Sequence, residues 1–300
     1  MEFTLTGLRV VRAVAECGTF SAAAESLGYT QSAVSRQIAA VEKAAGAAVF
    51  ERKREGAAPT AQGRVILRHA ARVLDEMDAV ERELRGLPTE TGHVRLGVIP
   101  SAGAVTVPRA LTILRRTYPG ITVTTREGST PALTRSLRAG TIDLALLAAV
   151  PPFRAPDTEK PALVVETLIE RPLRVAVPVT DPLADNDSVD IKELAGRRWI
   201  ASRSSGDEPL LGVWPGLPER PEIAHLTRDW LAKLQLVAAG FGFTTVPASM
   251  AEAVPVGVRL LTVRGGPAEL RRLTVAHLPK HRTEPVTRVL EALRAATRQS

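Results

Sequence analysis

Apolar side chains in the first 45 residues recur at helical spacing and are interrupted by turns. Residues 8–15 fit a first helix that stops near Gly18, and a second, short helix follows, which Ser21 can cap. Thr30 or Ser32 can cap a third helix with its own apolar face. Three short helices with a tight turn between the last two predict a helix-turn-helix.

A hairpin and one long helix are predicted next. Residues 48–60 combine a short apolar strand, a basic run and a turn at Gly56, which is typical of a wing. From residue 61 to residue 87, apolar side chains alternate four and three residues apart and form a heptad seam. The seam consists of Ile66, Ala70, Val73, Met77, Val80, Leu84 and Leu87. We expect this helix to pair with a second copy; packing of the stripe within its own chain is the alternative.

Strand-like and helix-like runs alternate beyond a break at residues 86–92. Three strand signals and two helical segments between residues 93 and 147 predict a βαβαβ unit with a parallel sheet. A second set begins with strands at 163–169 and 173–179, and the chain ends on a strand at 271–278 and a helix. The fold class is therefore α/β behind an N-terminal all-α winged helix-turn-helix.

The charge distribution qualifies this picture. A net charge of +7 suggests an anionic partner, but acids and bases nearly cancel before residue 90, so the excess lies in the C-terminal part. Within the first part, bases gather between Arg36 and Arg72, whereas acids gather between Asp75 and Glu83. A local basic face is the form of DNA affinity that this distribution permits.

Several function classes are disfavoured by what the sequence lacks. No nucleophile elbow, phosphate loop, dinucleotide fingerprint or zinc-protease motif is present, and the five histidines lack metal-site spacing. We therefore expect no catalytic residue, no metal and no cofactor. Neither a leader nor an apolar stretch of membrane-spanning length is apparent, which favours a cytoplasmic protein without membrane contact.

One stretch carries a family resemblance. Residues 19–38 read Thr-Phe-Ser-Ala-Ala-Ala-Glu-Ser-Leu-Gly-Tyr-Thr-Gln-Ser-Ala-Val-Ser-Arg-Gln-Ile, which resembles the helix-turn-helix of LysR-type transcriptional regulators almost position for position. The resemblance continues through Val41-Glu42, Val49-Phe50-Glu51-Arg52 and Pro59-Thr60-Ala61-Gln62-Gly63, and its general architecture extends over the whole chain. It implies a regulator that binds DNA.

The start of the third helix supplies the candidate DNA contacts. In a helix-turn-helix this turn enters the major groove, where Gln can read adenine and Arg can read guanine. The candidates are Thr30, Gln31, Ser32, Ser35 and Arg36, joined on the wing by Arg52 and Arg54. The wing arginines suit phosphate or minor-groove contact, although Arg52 as a structural ion-pair partner is the alternative.

The remainder resembles the effector domain of the same family, which is similar to type II periplasmic binding proteins and has two Rossmann-like α/β subdomains around a cleft. The resemblance divides the chain into a DNA-binding domain (1–60), a linker and dimerisation helix (61–88), a first effector subdomain (89–165 and 270–300) and a second (166–269). Candidate effector contacts are Pro100, Ser101, Ser129, Thr130, Ser202, Arg203 and Thr244.

Helix starts at the carboxyl edge of the sheet favour anions, so a small carboxylate is the first guess for the effector. Ser129 or Thr130 as a helix cap without ligand contact is the alternative.

The expected partners are double-stranded DNA, a small-molecule effector, a second copy of the chain in a dimer or tetramer, and RNA polymerase. Three rival functions remain. An α/β enzyme with a helical accessory domain lacks a catalytic motif, and an architectural DNA-binding protein would show no ligand response. Redox sensing through thiols would have to use Cys17 alone, which excludes an intramolecular disulfide.

Overall fold

The computed structural model describes residues 2–53, 56–84, 91–202, 211–217, 219–279 and 282–298. Its first three helices are α1 (Leu5–Cys17), α2 (Phe20–Leu27) and α3 (Gln31–Ala45). Each follows a threonine whose hydroxyl accepts a backbone N–H, at Thr4, Thr19 and Thr30, and each ends before a glycine with positive φ, at Gly18, Gly28 and Gly46. Thr19 thus fills the capping role expected of Ser21, which lies inside α2.

A buried cluster sets the angles between these helices. It joins Val10 and Val14 of α1, Ala23 of α2, and Val34 and Ile38 of α3, all with at most 3% of their surface exposed. The small alanine lets α2 and α3 cross closely. The polar side of α3 is left facing outward.

Hydrogen bonds of Thr60 connect the wing segment to the start of the long helix. Strands β1 (Phe50–Lys53) and β2 (Gly56–Pro59) are antiparallel, and α4 spans Ala61–Leu84. The Thr60 hydroxyl accepts the N–H of Gly63 at 2.9 Å and donates to the Ala48 carbonyl at 2.7 Å. A Cβ at Gly63 would lie 2.0 Å from the Val49 carbonyl oxygen, so this helical position requires glycine.

The first subdomain is built on β3 (Gly92–Val98), β4 (Ile121–Glu127), β5 (Leu144–Ala149), β12 (Leu270–His277) and the first part of β6 (Val164–Pro178). β3, β4 and β5 are parallel, as the βαβαβ prediction requires, and β12 is antiparallel to both β5 and β6. Its helices are α5 (Pro100–Ala104), α6 (Thr106–Thr117), α7 (Thr130–Arg138) and α9 (Glu284–Arg298). Their core contains the buried leucines Leu96, Leu146 and Leu293.

The second subdomain contains β7 (Ser188–Asp190), β8 (Arg198–Ala201), β9 (Glu222–Leu226), α8 (Trp230–Ala238), β10 (Thr244–Pro247), a 3₁₀ turn (Ala248–Ala253) and β11 (Val258–Arg264). β8 and β9 run parallel, and β10 and β11 pair antiparallel with the last part of β6. Trp199 of β8 is fully buried in this subdomain, and its ring packs edge-on to the ring of Phe243.

One strand corrects the sequence reading. The two strands expected at 163–169 and 173–179 are a single strand, β6, which changes partners along its length. Pro172 is still opposite Leu270 of β12, whereas Leu173 is opposite Pro247 of β10. The chain therefore crosses between subdomains at 172/173 rather than at 165/166. Proline is tolerated in this strand because the ladder changes partners there, so its missing N–H costs little.

Candidate DNA and effector sites

The N-terminal end of α3 presents most of the predicted base contacts on one exposed surface. Gln31, Ser32 and Arg36 are exposed, and the Gln31 side-chain amide donates to the half-buried Ser35 hydroxyl at 3.3 Å. Thr30 is also exposed, but its hydroxyl accepts the Ala33 N–H and shares a hydrogen bond with Ser32. Thr30 is thus primarily the helix cap, and the other four side chains form the face that can enter a groove.

The wing is held against α3 by a residue to which the sequence analysis gave no role. The Glu42 carboxylate accepts the backbone N–H groups of Val49 at 2.8 Å and Phe50 at 3.4 Å. Arg52 lies on β1 opposite Ala57, and Arg54 lies outside the described residues. This role of Glu42 could not be predicted, because a glutamate near the end of an amphipathic helix carries no sequence signal that its carboxylate will accept N–H groups at the start of the next strand.

The seam on α4 divides into two faces. Ala70 is fully buried against Leu8 and Leu74 of its own chain, which corrects its assignment to the dimer seam. Val73, Val80 and Leu84 are exposed, whereas Ile66 and Met77 are half-buried. The exposed side opens onto an apolar groove of about 600 Å³ whose lining includes Phe3, Leu5, Val65 and Val73.

On the first subdomain, the predicted cleft residues lie at helix starts. Pro100 is the first residue of α5 and Ser101 follows it. Ser129 precedes α7, and its hydroxyl makes no capping hydrogen bond to the described residues. The Thr130 hydroxyl lies 3.4 Å from both the N–H and the carbonyl oxygen of Ala148. Of the two candidates for a side-chain cap, Ser129 therefore occupies the N-cap position of α7 but makes no capping hydrogen bond to the described residues.

On the second subdomain, Thr244 is not a cleft residue. Its side chain is fully buried, and its hydroxyl donates to the carbonyls of Ile200 at 2.8 Å and Gly212 at 3.3 Å. This corrects the prediction. The hydrogen bonds of Thr244 connect β10 to β8, and they occupy its hydroxyl inside the second subdomain. Ser202 lies at the end of β8, while Arg203 falls outside the described residues.

Ser202 has a charged neighbour that the sequence did not reveal. The Lys233 ammonium, on the first turn of α8, donates to the Ser202 hydroxyl at 2.6 Å, and that hydroxyl donates to the Thr227 carbonyl at 2.6 Å. Only 2% of Lys233 is exposed, and burial lowers the pKa of Lys233 to about 8. A single lysine on an otherwise apolar helix face was the signal that could have been noticed.

The two subdomain edges contact each other. Helix α5 packs against the 248–253 turn of the second subdomain. Arg109 of α6 forms an ion pair with Glu252 of that turn. The carboxyl ends of β3, which leads into α5, and of β10, which leads into the turn, thus lie at the boundary between the subdomains, and open α/β sheets bind ligands at such strand ends.

A second cavity, of about 730 Å³, lies between the helical part and the first subdomain. Its helical wall, from α1 and α4, carries Arg12, Glu16, Arg72, Asp75, Glu76 and Asp78. Its other wall carries His93, Arg95, Arg126, Asp143 and Arg282. The first wall is net acidic and the second net basic, so the two attract each other.

Arg95 is the centre of this junction. Its guanidinium binds Asp143 through two hydrogen bonds of 2.6 and 3.1 Å, and it lies 3.5 Å from Glu16 of α1 and 4.0 Å from Asp75 of α4. Burial acts to lower the pKa of Arg95, but the hydrogen bond and charge of Asp143 outweigh it and raise that pKa. Burial raises the pKa of Asp75 despite the nearby charge of Arg95. One side chain thus connects the DNA-binding domain, the long helix α4 and the first effector subdomain.

Comparisons with known proteins identify these parts. The family model "Bacterial regulatory helix-turn-helix protein, lysR family" matches residues 5–64, and "LysR substrate binding domain" matches residues 88–298. The chain belongs to the LysR family of transcriptional regulators. Among its LysR relatives is a probable hydrogen peroxide-inducible genes activator of Mycobacterium avium, 32% identical over 269 residues, which are 84% of this chain and 79% of the relative.

Solved LysR structures share the fold. A full-length OxyR cysteine variant from Pseudomonas aeruginosa superimposes with a TM-score of 0.70 at 21% identity, covering 99% of this chain and 95% of that one. Full-length CbnR in complex with its target DNA superimposes with a TM-score of 0.60 at 21% identity, covering 99% and 100%. The predicted fold class and family are confirmed, and this LysR protein is a transcriptional regulator rather than an enzyme. No helix within the described ranges is long and apolar enough to cross a membrane.

Proposed function

We propose that this LysR regulator reads a specific DNA sequence through Gln31, Ser32, Ser35 and Arg36, under the control of a small anionic effector in the cleft. The observation that carries the proposal is the geometry of α3, whose apolar side is locked by Val34 and Ile38 while its polar first turns stay exposed. Such a rigid, outward-facing helix start suits insertion into the major groove.

The effector assignment rests on the chemistry of the cleft edges. The start of α7 offers backbone N–H groups beside the Ser129 hydroxyl, and the Ser202–Lys233 pair supplies a buried positive charge on the other subdomain. Among the described residues, no carboxylate forms an ion pair with Lys233. An anionic effector would provide the missing counter-charge, and a small carboxylate remains our first choice.

Peroxide is a second candidate signal, because relatives carry the name hydrogen peroxide-inducible genes activator. Cys17 is the sequence's only cysteine, and it lies at the end of α1 in the DNA-binding domain, away from the cleft. A thiol-based response would therefore have to act on the DNA-binding domain directly or link two copies. We place peroxide second for this reason.

The proposed assembly is a dimer through α4, with pairing of dimers into a tetramer as the larger form. The apolar groove beside Val73 and the exposed Val80 and Leu84 offer a continuous face for the α4 helix of a second copy. Two recognition helices would then meet half-sites one DNA turn, or a multiple of it, apart. We propose RNA polymerase as a further partner and the cytoplasm as the place of action.

Replacing Arg36 with alanine is expected to weaken binding to the DNA upstream of the protein's own gene by roughly 5- to 150-fold, because a bidentate contact to a base contributes about 1–3 kcal/mol. Fluorescence anisotropy with this DNA and with scrambled DNA measures the loss. The loss should fall on the specific site, with scrambled DNA affected little.

Lys43→Ala is the matched control, since Lys43 is an exposed cation on the last turn of the same helix. It removes the same charge without touching the helix start. Equal losses for the two variants on both DNAs would show that α3 contributes only general electrostatics, and would overturn the base-reading assignment.

The effector proposal is tested by a thermal-shift screen of small carboxylic acids against the full-length protein. A ligand at a hundredfold excess over its Kd should stabilise the native state by about 2.7 kcal/mol. The same acid should change DNA affinity. If no small acid changes the melting temperature or the DNA affinity, the protein would instead fit the class of architectural DNA-binding proteins.

A further inference from the structure

Lys233 is exceptional among the cations of this chain. Only six of the 39 lysines and arginines are lysines, and the side chains of Lys43, Lys160 and Lys192 are exposed. Where a cation is buried in an ion pair, the chain uses arginine, as in Arg138 with Asp157. The buried position on α8 therefore holds the one type of cation that can release its proton.

Burial favours the neutral amine at Lys233, against the two contacts that its ammonium makes. Its Nζ lies 4.8 Å from the centre of the Trp230 ring, and the Ser202 hydroxyl is its hydrogen-bond partner. Asp229, the N-cap of α8, uses its carboxylate to accept the backbone N–H groups of Leu231 and Ala232. In the part of the chain that the structure describes, no anion offsets the burial of this ammonium. An arginine here would remain charged, whereas a lysine can lose its proton.

Ser202 and Lys233 lie at the ends of parallel strands, the edge at which α/β sheets bind ligands. Ser202 follows β8, Thr227 follows β9, and α8 begins at Trp230. Both strands are parallel, so these groups lie at the carboxyl edge of the second subdomain's small sheet. Trp199 of β8 also pairs in parallel with Phe243, just before β10, and the 248–253 turn that contacts α5 of the first subdomain follows β10.

We infer that Lys233 is a covalent, reversible binding site for a small carbonyl compound, and that an oxo acid is the effector class that fits the cleft. The inference rests on the proposed effector cleft and names the chemistry of its ligand. An oxo acid has a carboxylate for the start of α7 and a carbonyl carbon for the amine. An ordinary carboxylate would interact with the helix start and the Lys233 ammonium through charge alone and would form no covalent bond.

The chemistry requires no further reactant. The Nζ lone pair attacks the carbonyl carbon, and the electron pair of the C=O bond moves to oxygen. A proton passes from nitrogen to that oxygen, with the Ser202 hydroxyl placed to relay it, giving a carbinolamine. Loss of the hydroxyl group as water then leaves an imine, without oxidation or reduction, and hydrolysis reverses the sequence.

The lowered pKa, about 8 through burial, supports this geometry. At pH 7, the neutral fraction of such an amine exceeds that of an ordinary lysine on the order of 100-fold. Labelling at Lys233 should therefore rise with pH, reach half its maximum near pH 8 and level off above it, whereas exposed lysines such as Lys192 should continue to gain reactivity at higher pH.

The test is reductive trapping on the full-length protein. Glyoxylate is added with sodium cyanoborohydride, which reduces an imine to a stable secondary amine, and peptide mass mapping locates the carboxymethyl group. We expect one dominant adduct, at Lys233, formed at least about tenfold faster than at Lys192 at neutral pH, a conservative bound given the difference in neutral fraction. Labelling spread evenly over the exposed lysines would overturn the inference.

Two variants keep the result interpretable. Lys233→Arg keeps the charge but not the nucleophile, and Lys233→Met keeps the volume; both should lose the dominant adduct while melting cooperatively. Propionaldehyde is the uncharged probe: if it labels Lys233 and glyoxylate does not, the oxo-acid class is wrong. An adduct that leaves DNA affinity unchanged supports the carbonyl site and contradicts the effector role. Small acids that stabilise Lys233→Arg while glyoxylate labels nothing would leave the effector cleft standing and overturn the covalent site.

Discussion

Val73→Glu is expected to convert the protein to a monomer and to weaken its binding to the DNA site by about 100-fold or more, because the second recognition helix would no longer bind intramolecularly. Val73 lies on α4 with 43% of its surface exposed, at the apolar groove that Phe3 and Val65 also line. A carboxylate placed there would be buried without a partner in the proposed dimer, while the monomer keeps it in water.

Sedimentation velocity gives the oligomeric state, and anisotropy with a two-half-site DNA gives the affinity. Val256→Glu is the control, since Val256 is 99% exposed and lies far along the chain in the second subdomain. The control should remain an oligomer with unchanged affinity. If the Val73 variant still sediments as a dimer and binds the site as before, α4 is not the dimer interface.

The DNA-binding half was predictable because its signals are local. Caps, terminating glycines and apolar spacing each act within a few residues, so the three helices and the polar start of α3 follow from short windows of sequence. The error over Ser21 was of the same local kind: two hydroxyl residues compete for one cap, and Thr19 has the extended backbone that a cap needs.

Features that depend on tertiary partners were not predictable. Ala70 belongs to the heptad pattern, yet Leu8 and Leu74 of its own chain cover it. Thr244 looked available for a ligand, but its hydroxyl donates its hydrogen bond to the Ile200 carbonyl. Lys233 stands out in the sequence only as a single lysine on an apolar helix face, and its neighbour Ser202 is 31 residues away. In each case the decisive contact comes from another element.

The acidic run on α4 also acquires a role from the structure. Read alone, the acids from Asp75 onward only offset the bases of the DNA-binding domain. In the structure, Asp75, Glu76 and Asp78 face the basic wall of the first subdomain across the 730 Å³ cavity. Their charge therefore attracts the first effector subdomain to α4.

Asp143→Asn is expected to lower the melting temperature of the protein by roughly 5–15 °C, since breaking a buried ion pair costs about 3–5 kcal/mol. The side chains of Arg95 and Asp143 are only 11% and 9% exposed, and the Asp143 carboxylate also accepts the backbone N–H of Arg95 at 2.7 Å. Removing the carboxylate charge leaves the guanidinium buried between the two more distant acids, Glu16 and Asp75. Differential scanning calorimetry measures the shift.

Glu16→Gln separates the junction between domains from the stability of the subdomain. Glu16 is 37% exposed and meets Arg95 at 3.5 Å, so its loss should leave the melting temperature nearly unchanged. Because Glu16 joins α1 to the first subdomain, the same variant should reduce the change in DNA affinity that an effector produces. An Asp143→Asn protein that melts like the parent would show that the Arg95 pair is not the fixed centre of the junction. A Glu16→Gln protein with an undiminished effector response would show that the signal reaches α1 by another route.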